Sequence, residues 1–237
     1  MDGAFPADRS TPGPNTYVRL TLSQLWDSLP LILLAAGVFS LLCAPAVLLF
    51  YVGLFAPAVI VGALTITPSW VALLALEGAI VCEKRAGIGT MLQAWPRFWR
   101  RSVGLGLLAS FPLLAGLLTL PNLARPEVPA IIWGGLAADG LGILVVLALS
   151  LYAIPLLVLH DMSLGMALRN ALLLAGRYVV NTIGLLSMII ALAFAAYYVS
   201  LSLVFILPAM WGVFVVNNCR MVVAEELATT ASERVQR

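Results

Sequence analysis

The chain predicts an all-α fold: a polytopic transmembrane helix bundle of about six spans, with two amphipathic helices on its cytoplasmic surface. Three observations lead there. Forty-two consecutive residues, from Tyr178 to Cys219, carry no charged side chain. One straight helix of that length would run about 63 Å at 1.5 Å per residue, twice the roughly 30 Å hydrocarbon core of a bilayer, so the run reads as two spans. Second, 62% of the residues are hydrophobic and only 10% are charged, where a soluble domain has about 25% charged. Such a chain cannot cover its own surface with polar groups, and lipid must be its solvent. Third, the basic residues segregate to one side of the predicted spans.

Each element follows from where charges and turn residues fall. Met1 to Leu20 is polar and contains Pro6, Pro12 and Pro14. It lacks the basic start and early apolar core of a cleavable signal, so residues 1–20 read as a disordered tail and the first span as retained. From Ser28 to Cys82 the only charge is Glu77, which leaves room for helices at about 28–51 and 58–82, broken among Tyr51, Gly53 and Pro57. A third span is expected at about 102–120, ending before Pro121 and the Pro126–Pro129 turn cluster. A fourth is expected at about 133–159, with Asp139 near its outer end. The long uncharged run divides into about 178–199 and 205–222, joined near Ser200, Ser202 and Pro208. Residues 21–226 therefore form one membrane domain and 227–237 a polar tail.

Placing both termini in the cytoplasm puts twelve basic residues inside and only Arg125 outside. That is the positive-inside pattern of a multi-pass protein of a cell (inner) membrane. An odd number of spans would spoil it. The six tryptophans, Trp26, Trp70, Trp95, Trp99, Trp133 and Trp211, are expected mostly near span ends, where an indole ring suits the boundary, with Trp70 and Trp211 alternatively inside their spans.

Two cytoplasmic connections have helical patterning. Gly87 to Arg101 sets Ile88, Met91 or Leu92, Trp95, and Phe98 or Trp99 at helical spacing with Arg97, Arg100 and Arg101 interleaved, a basic amphipathic segment expected to lie flat at the inner surface at about 88–100 and to bend, or start a turn of helix, at Pro96. His160-Asp161-Met162-Ser163 leads into a second segment at about 164–175, capped by Asp161 or Ser163, with Leu164, Leu168, Ala171 and Leu172 on its apolar side and Arg169 among its polar positions. Both connections share a glycine (Gly89, Gly165), a leucine three residues on (Leu92, Leu168) and a basic residue before the next span (Arg101, Arg177), which reads as a weak parallel repeat.

The stretch Leu151-Tyr152-Ala153-Ile154-Pro155-Leu156-Leu157-Val158-Leu159-His160-Asp161-Met162-Ser163-Leu164 resembles the signature of the YesL-like bacterial membrane proteins. So does its continuation from Ala167 to Leu174, and Thr65-Ile66-Thr67-Pro68 is similar to that family's first half. The resemblance spans roughly Leu20 to Glu226, and the chain departs from the pattern in a longer apolar stretch between Leu29 and Leu64. It implies a domain of unknown function that assists carbohydrate uptake beside binding-protein-dependent transporters, and it supplies no catalytic residues.

Candidate polar sites are few. Glu77 lies about 9 Å inside the inner boundary by helix rise, and an intramembrane carboxyl needs a partner or water. Pairing with Arg220 or with a polar group of a neighbouring span is the preferred reading; a proton or substrate contact is the alternative. Asn217 and Asn218 end the last span and read first as helix–helix hydrogen-bonding residues, otherwise as the lining of a polar cavity. Gly104, Gly106, Gly134, Gly135, Gly140 and Gly142 would permit close helix contacts. Trp95, Arg97, Trp99, Arg100, Arg101, His160, Asp161 and Arg169 form a candidate surface for anionic lipid headgroups or for a partner such as a carbohydrate ABC transporter.

One histidine and three dispersed cysteines, Cys43, Cys82 and Cys219, give neither metal-ligand spacing nor a nucleophile motif. No enzyme, cofactor or metal site is expected. A net charge of +2 gives no reason to invoke nucleic acid. The alternative to an accessory protein is a small transporter using Glu77, Asn217 and Asn218.

Overall fold

A computed structural model describes residues 14–82, 86–124, 129–198 and 203–235, all helical apart from short connections. In chain order the helices are α1 (Pro14–Asp27), α2 (Leu29–Tyr51), α3 (Phe55–Val81), α4 (Ile88–Thr119), α5 (Ala130–His160), α6 (Leu164–Arg177), α7 (Val179–Tyr198) and α8 (Leu203–Val235), with a 3-10 turn at Leu120–Ala124. Six are long and apolar enough to cross a membrane: α2, α3, α4 with its 3-10 turn, α5, α7 and most of α8. The protein is an integral membrane protein built as an all-α bundle.

The break between the first two spans shows how local chemistry ends a helix in lipid. Gly53 takes φ +84°, a conformation that costs a side-chain-bearing residue about 1–2 kcal/mol. It lets the Gly53 N–H reach Phe50 O and the Leu54 N–H reach Leu49 O, both at 3.0 Å, which satisfies two carbonyls at the end of α2. Pro57 then falls in the first turn of α3, where a missing N–H costs no helical bond.

Prolines 45, 68, 96, 112, 155 and 208 lie inside helices. Spans tolerate them because neighbouring groups take up the freed backbone. Hydroxyls are hidden in the same economical way. Ser40, Ser69, Ser102, Ser110 and Thr119 each donate to the carbonyl four residues earlier, so none carries an unmet donor into lipid.

α3 is the central helix, packed against α2, α4, α5 and α8. Val71 to Leu74, Leu76 and Glu77 are buried on every side of it. The packed core is not spread evenly along the bundle. It gathers at the C-terminal halves of α3, α5 (Leu151 to Leu157) and α8 (Ala209 to Val222), whereas no residue of α5 from 130 to 150 is buried. Apolar side chains gain nothing from leaving lipid for protein, so cohesion here comes from close packing and buried hydrogen bonds.

Three expectations change. The basic surface segment is not a separate helix: α4 continues from Ile88 through Pro96 to Thr119 without interruption. The segment from 14 to 20, expected as tail, belongs to helix α1, while residues 1–13 lie outside the described set. α8 likewise runs to Val235, through most of the expected C-terminal tail. The proposed repeat is correspondingly imperfect, since α6 is separated from α7 at Tyr178 whereas its counterpart is fused to α4.

The expected glycine contacts divide. A Cβ on Gly106 would meet Ala63 O and Thr67 Oγ1 at 2.7 Å, so α4 crosses α3 at that point with backbones nearly touching. Gly104 abuts Leu164, and Gly142 abuts Pro112. Gly134, Gly135 and Gly140 face open space.

Candidate functional site

Two of the surface candidates, Arg97 and Arg101, converge on a third, Asp161. Arg97 and Arg101, one helical turn apart on α4, both reach it: Arg97 Nη2 donates to Oδ2 at 2.9 Å and Arg101 Nη1 to Oδ1 at 2.6 Å. Arg101 Nη1 also donates to the carbonyls of Asp161 (3.4 Å) and Met162 (3.2 Å). The two guanidiniums, Arg97 foremost, hold the Asp161 carboxyl below its ordinary range. All three side chains remain substantially exposed.

Asp161 does not cap α6, contrary to expectation. It ends α5 in the left-handed conformation, φ 49° and ψ 36°, which Asp tolerates better than most residues. Ser163 occupies the position before α6 with extended backbone, but its side chain makes no capping bond. The left-handed turn aims the Asp161 carboxylate back at α4 instead of along α6.

Around this clamp lies a shallow depression lined by Trp95, Pro96, Arg97, Trp99, Arg100 and Arg101. Trp95 and Trp99 meet edge to face with ring centroids 4.5 Å apart. Trp95 Nε1 donates to Ser69 Oγ at 3.4 Å, tying the aromatic pair to α3. Arg100 points outward from the same turn, exposed. His160, the last residue of α5, and Arg169, on α6, are exposed as well.

The interior candidates do not converge. Glu77 is 1% exposed, and neither of its carboxyl oxygens has a hydrogen-bond partner among the described residues. Its carboxyl lies against the bare Cα of Gly212 on α8. The expected pairing with Arg220 is not formed: Arg220 Nη1 donates to Val81 O at 2.7 Å, one turn beyond Glu77 on α3. Asn217 turns to α1, where its Nδ2 donates to Thr21 Oγ1 (3.3 Å) and Gln24 Oε1 (3.0 Å). Asn218 adjoins Tyr152 of α5, whose hydroxyl lies 3.2 Å from Thr182 Oγ1 on α7. Adjacent asparagines on a helix are about 100° apart in direction, which is why they serve different neighbours.

Several site residues escaped the sequence reading. Gly212 is the notch that admits Glu77, and a glycine facing the only charge of another span was the available signal. Trp70 and Trp211 lie inside their spans, the alternative expected for them, but their stacking was not foreseen: centroids are 5.3 Å apart and planes 21° apart, and Phe39 meets Trp70 edge-on at 5.9 Å. The Trp211 Nε1 is buried without a partner among the described residues. A third ion pair, Arg177 Nη1 to Glu226 Oε2 at 2.8 Å, joins the end of α6 to α8.

Together, the contacts of Arg97, Arg101, Arg177 and Arg220 place the end of α3, the start of α4, the end of α5 and the later half of α8 at one end of the bundle. No family model, no characterised protein and no solved structure matches the chain.

Proposed function

We propose that this protein is a non-enzymatic accessory of a membrane transport system, and that the Trp–Arg surface on α4 is where it engages its partner. The observation that carries the reading is the clamp. Arg97 and Arg101 are committed to Asp161, which fixes the α4 surface against the α5–α6 turn and leaves Arg100 exposed beside the half-buried Trp99 on a rigid base. A preset arginine beside an aromatic pair suits an acidic protein segment or an anionic headgroup.

The clustering of arginines at this end, together with the twelve-to-one count, supports a cytoplasmic orientation for it and for both termini. The resemblance of Leu151–Leu164 to the YesL-like proteins directs the reading toward carbohydrate uptake, with a binding-protein-dependent transporter as partner.

The test uses Arg100→Glu with Trp99→Ala, because Arg97 and Arg101 also hold the fold. Co-purification with a sugar-transporter subunit should be lost while membrane insertion is retained. Undiminished co-purification rejects the docking surface.

A second reading, a small transporter, draws on one observation: the Glu77 carboxyl, buried and without a hydrogen-bond partner among the described residues. Against it, Glu77, Asn217 and Asn218 face three different neighbours. Uptake into liposomes containing only this protein, abolished by Glu77→Gln, would establish it in place of the first.

A further inference from the structure

We propose that α1 is an in-plane helix that seats on the lipid bilayer surface through Val18, Leu22 and Trp26, and that Asn217 of the last span clips it there. Three lines run along α1, and one further exposed apolar residue, Leu20, lies beside the polar one. Gln24, Thr21 and Leu25 face the bundle: Thr21 is 0% and Leu25 3% exposed, and Gln24 bonds to Asn217. Val18, Leu22 and Trp26, spaced four apart, form an adjacent line that is apolar yet exposed, with Trp26 at 71%. Arg19, Ser23 and Asp27, also four apart, form the next line, exposed and polar. Protein, lipid and water each have a side of this helix, which is the arrangement required where all three meet.

The position along the chain fixes the partner as the bilayer. Only Ser28 separates α1 from α2, a membrane span that begins at Leu29. Trp26 therefore stands at the boundary of that span, where an exposed indole is at home. Leu33, Leu34 and Leu41 of α2 are exposed apolar residues as well, as expected of a span that meets lipid directly after α1.

The clip accounts for a buried amide in the last span. Asn217 is 4% exposed, and its Nδ2 donates to both Thr21 Oγ1 and Gln24 Oε1. Left unpaired in the bundle, that amide would be costly. Docking of α1 and satisfaction of Asn217 are thus one event, tying the start of the chain to its last span.

The experiment places a nitroxide label on the full chain in dioleoylphosphatidylcholine vesicles, with the native cysteines replaced by alanine. Labels go singly at positions 18, 22, 19 and 23, so each flank is read twice and one poorly folding variant does not void the result. Labels at 18 and 22 should be relaxed by oxygen, which concentrates in lipid, with an oxygen-to-nickel accessibility ratio several-fold above that at 19 and 23. Adding Asn217→Ala, or Gln24→Ala if that variant fails to fold, should increase label mobility at 18 and 22. Four labels equally open to the nickel reagent, four equally open to oxygen, or labels at 18 and 22 shielded from both, would each overturn the proposal. These outcomes correspond to a helix free in water, an extension of the span, and a face covered by protein.

Discussion

The carboxyl of Glu77 on α3 rests on the bare Cα of Gly212 on α8; a Cβ there would fall 2.8 Å from the carboxyl carbon. The only charged residue of the second span is thus accommodated by the absence of a side chain on the sixth. Gly212→Ala should destabilise the bundle by about 1–3 kcal/mol through overpacking. Glu77→Ala removes the obstruction, so Gly212→Ala should cost much less in that background, a coupling on the order of 1 kcal/mol or more. Glu77→Gln keeps the shape and should not rescue. Reversible unfolding in mixed micelles measures all four members of the cycle, and equal costs in both backgrounds would refute the contact.

The Asp161 clamp has a signed pH dependence. Its carboxyl titrates below the ordinary value because Arg97 and Arg101 bond to the ionised form. The stability it contributes is therefore fully present above the unfolded aspartate value of about 3.9 and disappears as pH falls through the lower folded value. Asp161→Asn tolerates the left-handed turn but abolishes the charge. The gap in stability between wild type and Asp161→Asn should be constant near neutrality and close in acid below about pH 4. Added salt should narrow it too, since all three side chains are exposed. A gap that persists unchanged at low pH would mean the turn, not the charge, matters.

Glycines on one bundle should respond oppositely to the same change. Gly106→Ala drives a methyl onto the Ala63 carbonyl, backbone that cannot rotate away, and should cost about 1–3 kcal/mol. Gly134→Ala and Gly135→Ala point into open space and should be neutral or slightly stabilising, within about 1 kcal/mol. Thermal denaturation of the three variants in one detergent tests this; equal destabilisation would contradict the α3–α4 crossing.

The Tyr152–Thr182 bond links α5 to α7, a helix otherwise largely bare to lipid. Thr182 Oγ1 also donates to Tyr178 O at 3.0 Å, leaving its oxygen free to accept from Tyr152. Tyr152→Phe should cost about 0.5–1.5 kcal/mol and should increase amide exchange in α7 more than in α3. Uniform exchange across both helices would disconnect the bond from α7.

The spans were legible because lipid imposes a simple rule, an uninterrupted apolar run of adequate length. The expected 28–51 and 178–199 become Leu29–Tyr51 and Val179–Tyr198. What was not legible depends on neighbours or on the sign of a dihedral. Pro96 reads as a bend or the start of a new helical turn, and no new helix starts there because α4 runs on through it. Pro14 reads as tail, although it is a good first helical residue and the 18/22/26 spacing was present in the sequence. Asp161 reads as a cap for the helix after it, because nothing local announces the left-handed turn or the arginines sixty residues earlier. Glu77 and Arg220 read as partners by charge, but only their registers on α3 and α8 decide that Arg220 meets Val81 O instead.

The uninterrupted course of α4 has a mechanical consequence. Its 32 residues extend about 48 Å, well beyond the roughly 30 Å apolar slab. Trp99 and Arg100 lie in its first half; at its far end, Thr119 Oγ1 lies 3.4 Å from Asp139 Oδ2. The clamped surface and the far side of the bilayer therefore belong to one unbroken rod, braced midway where Gly106 meets Ala63.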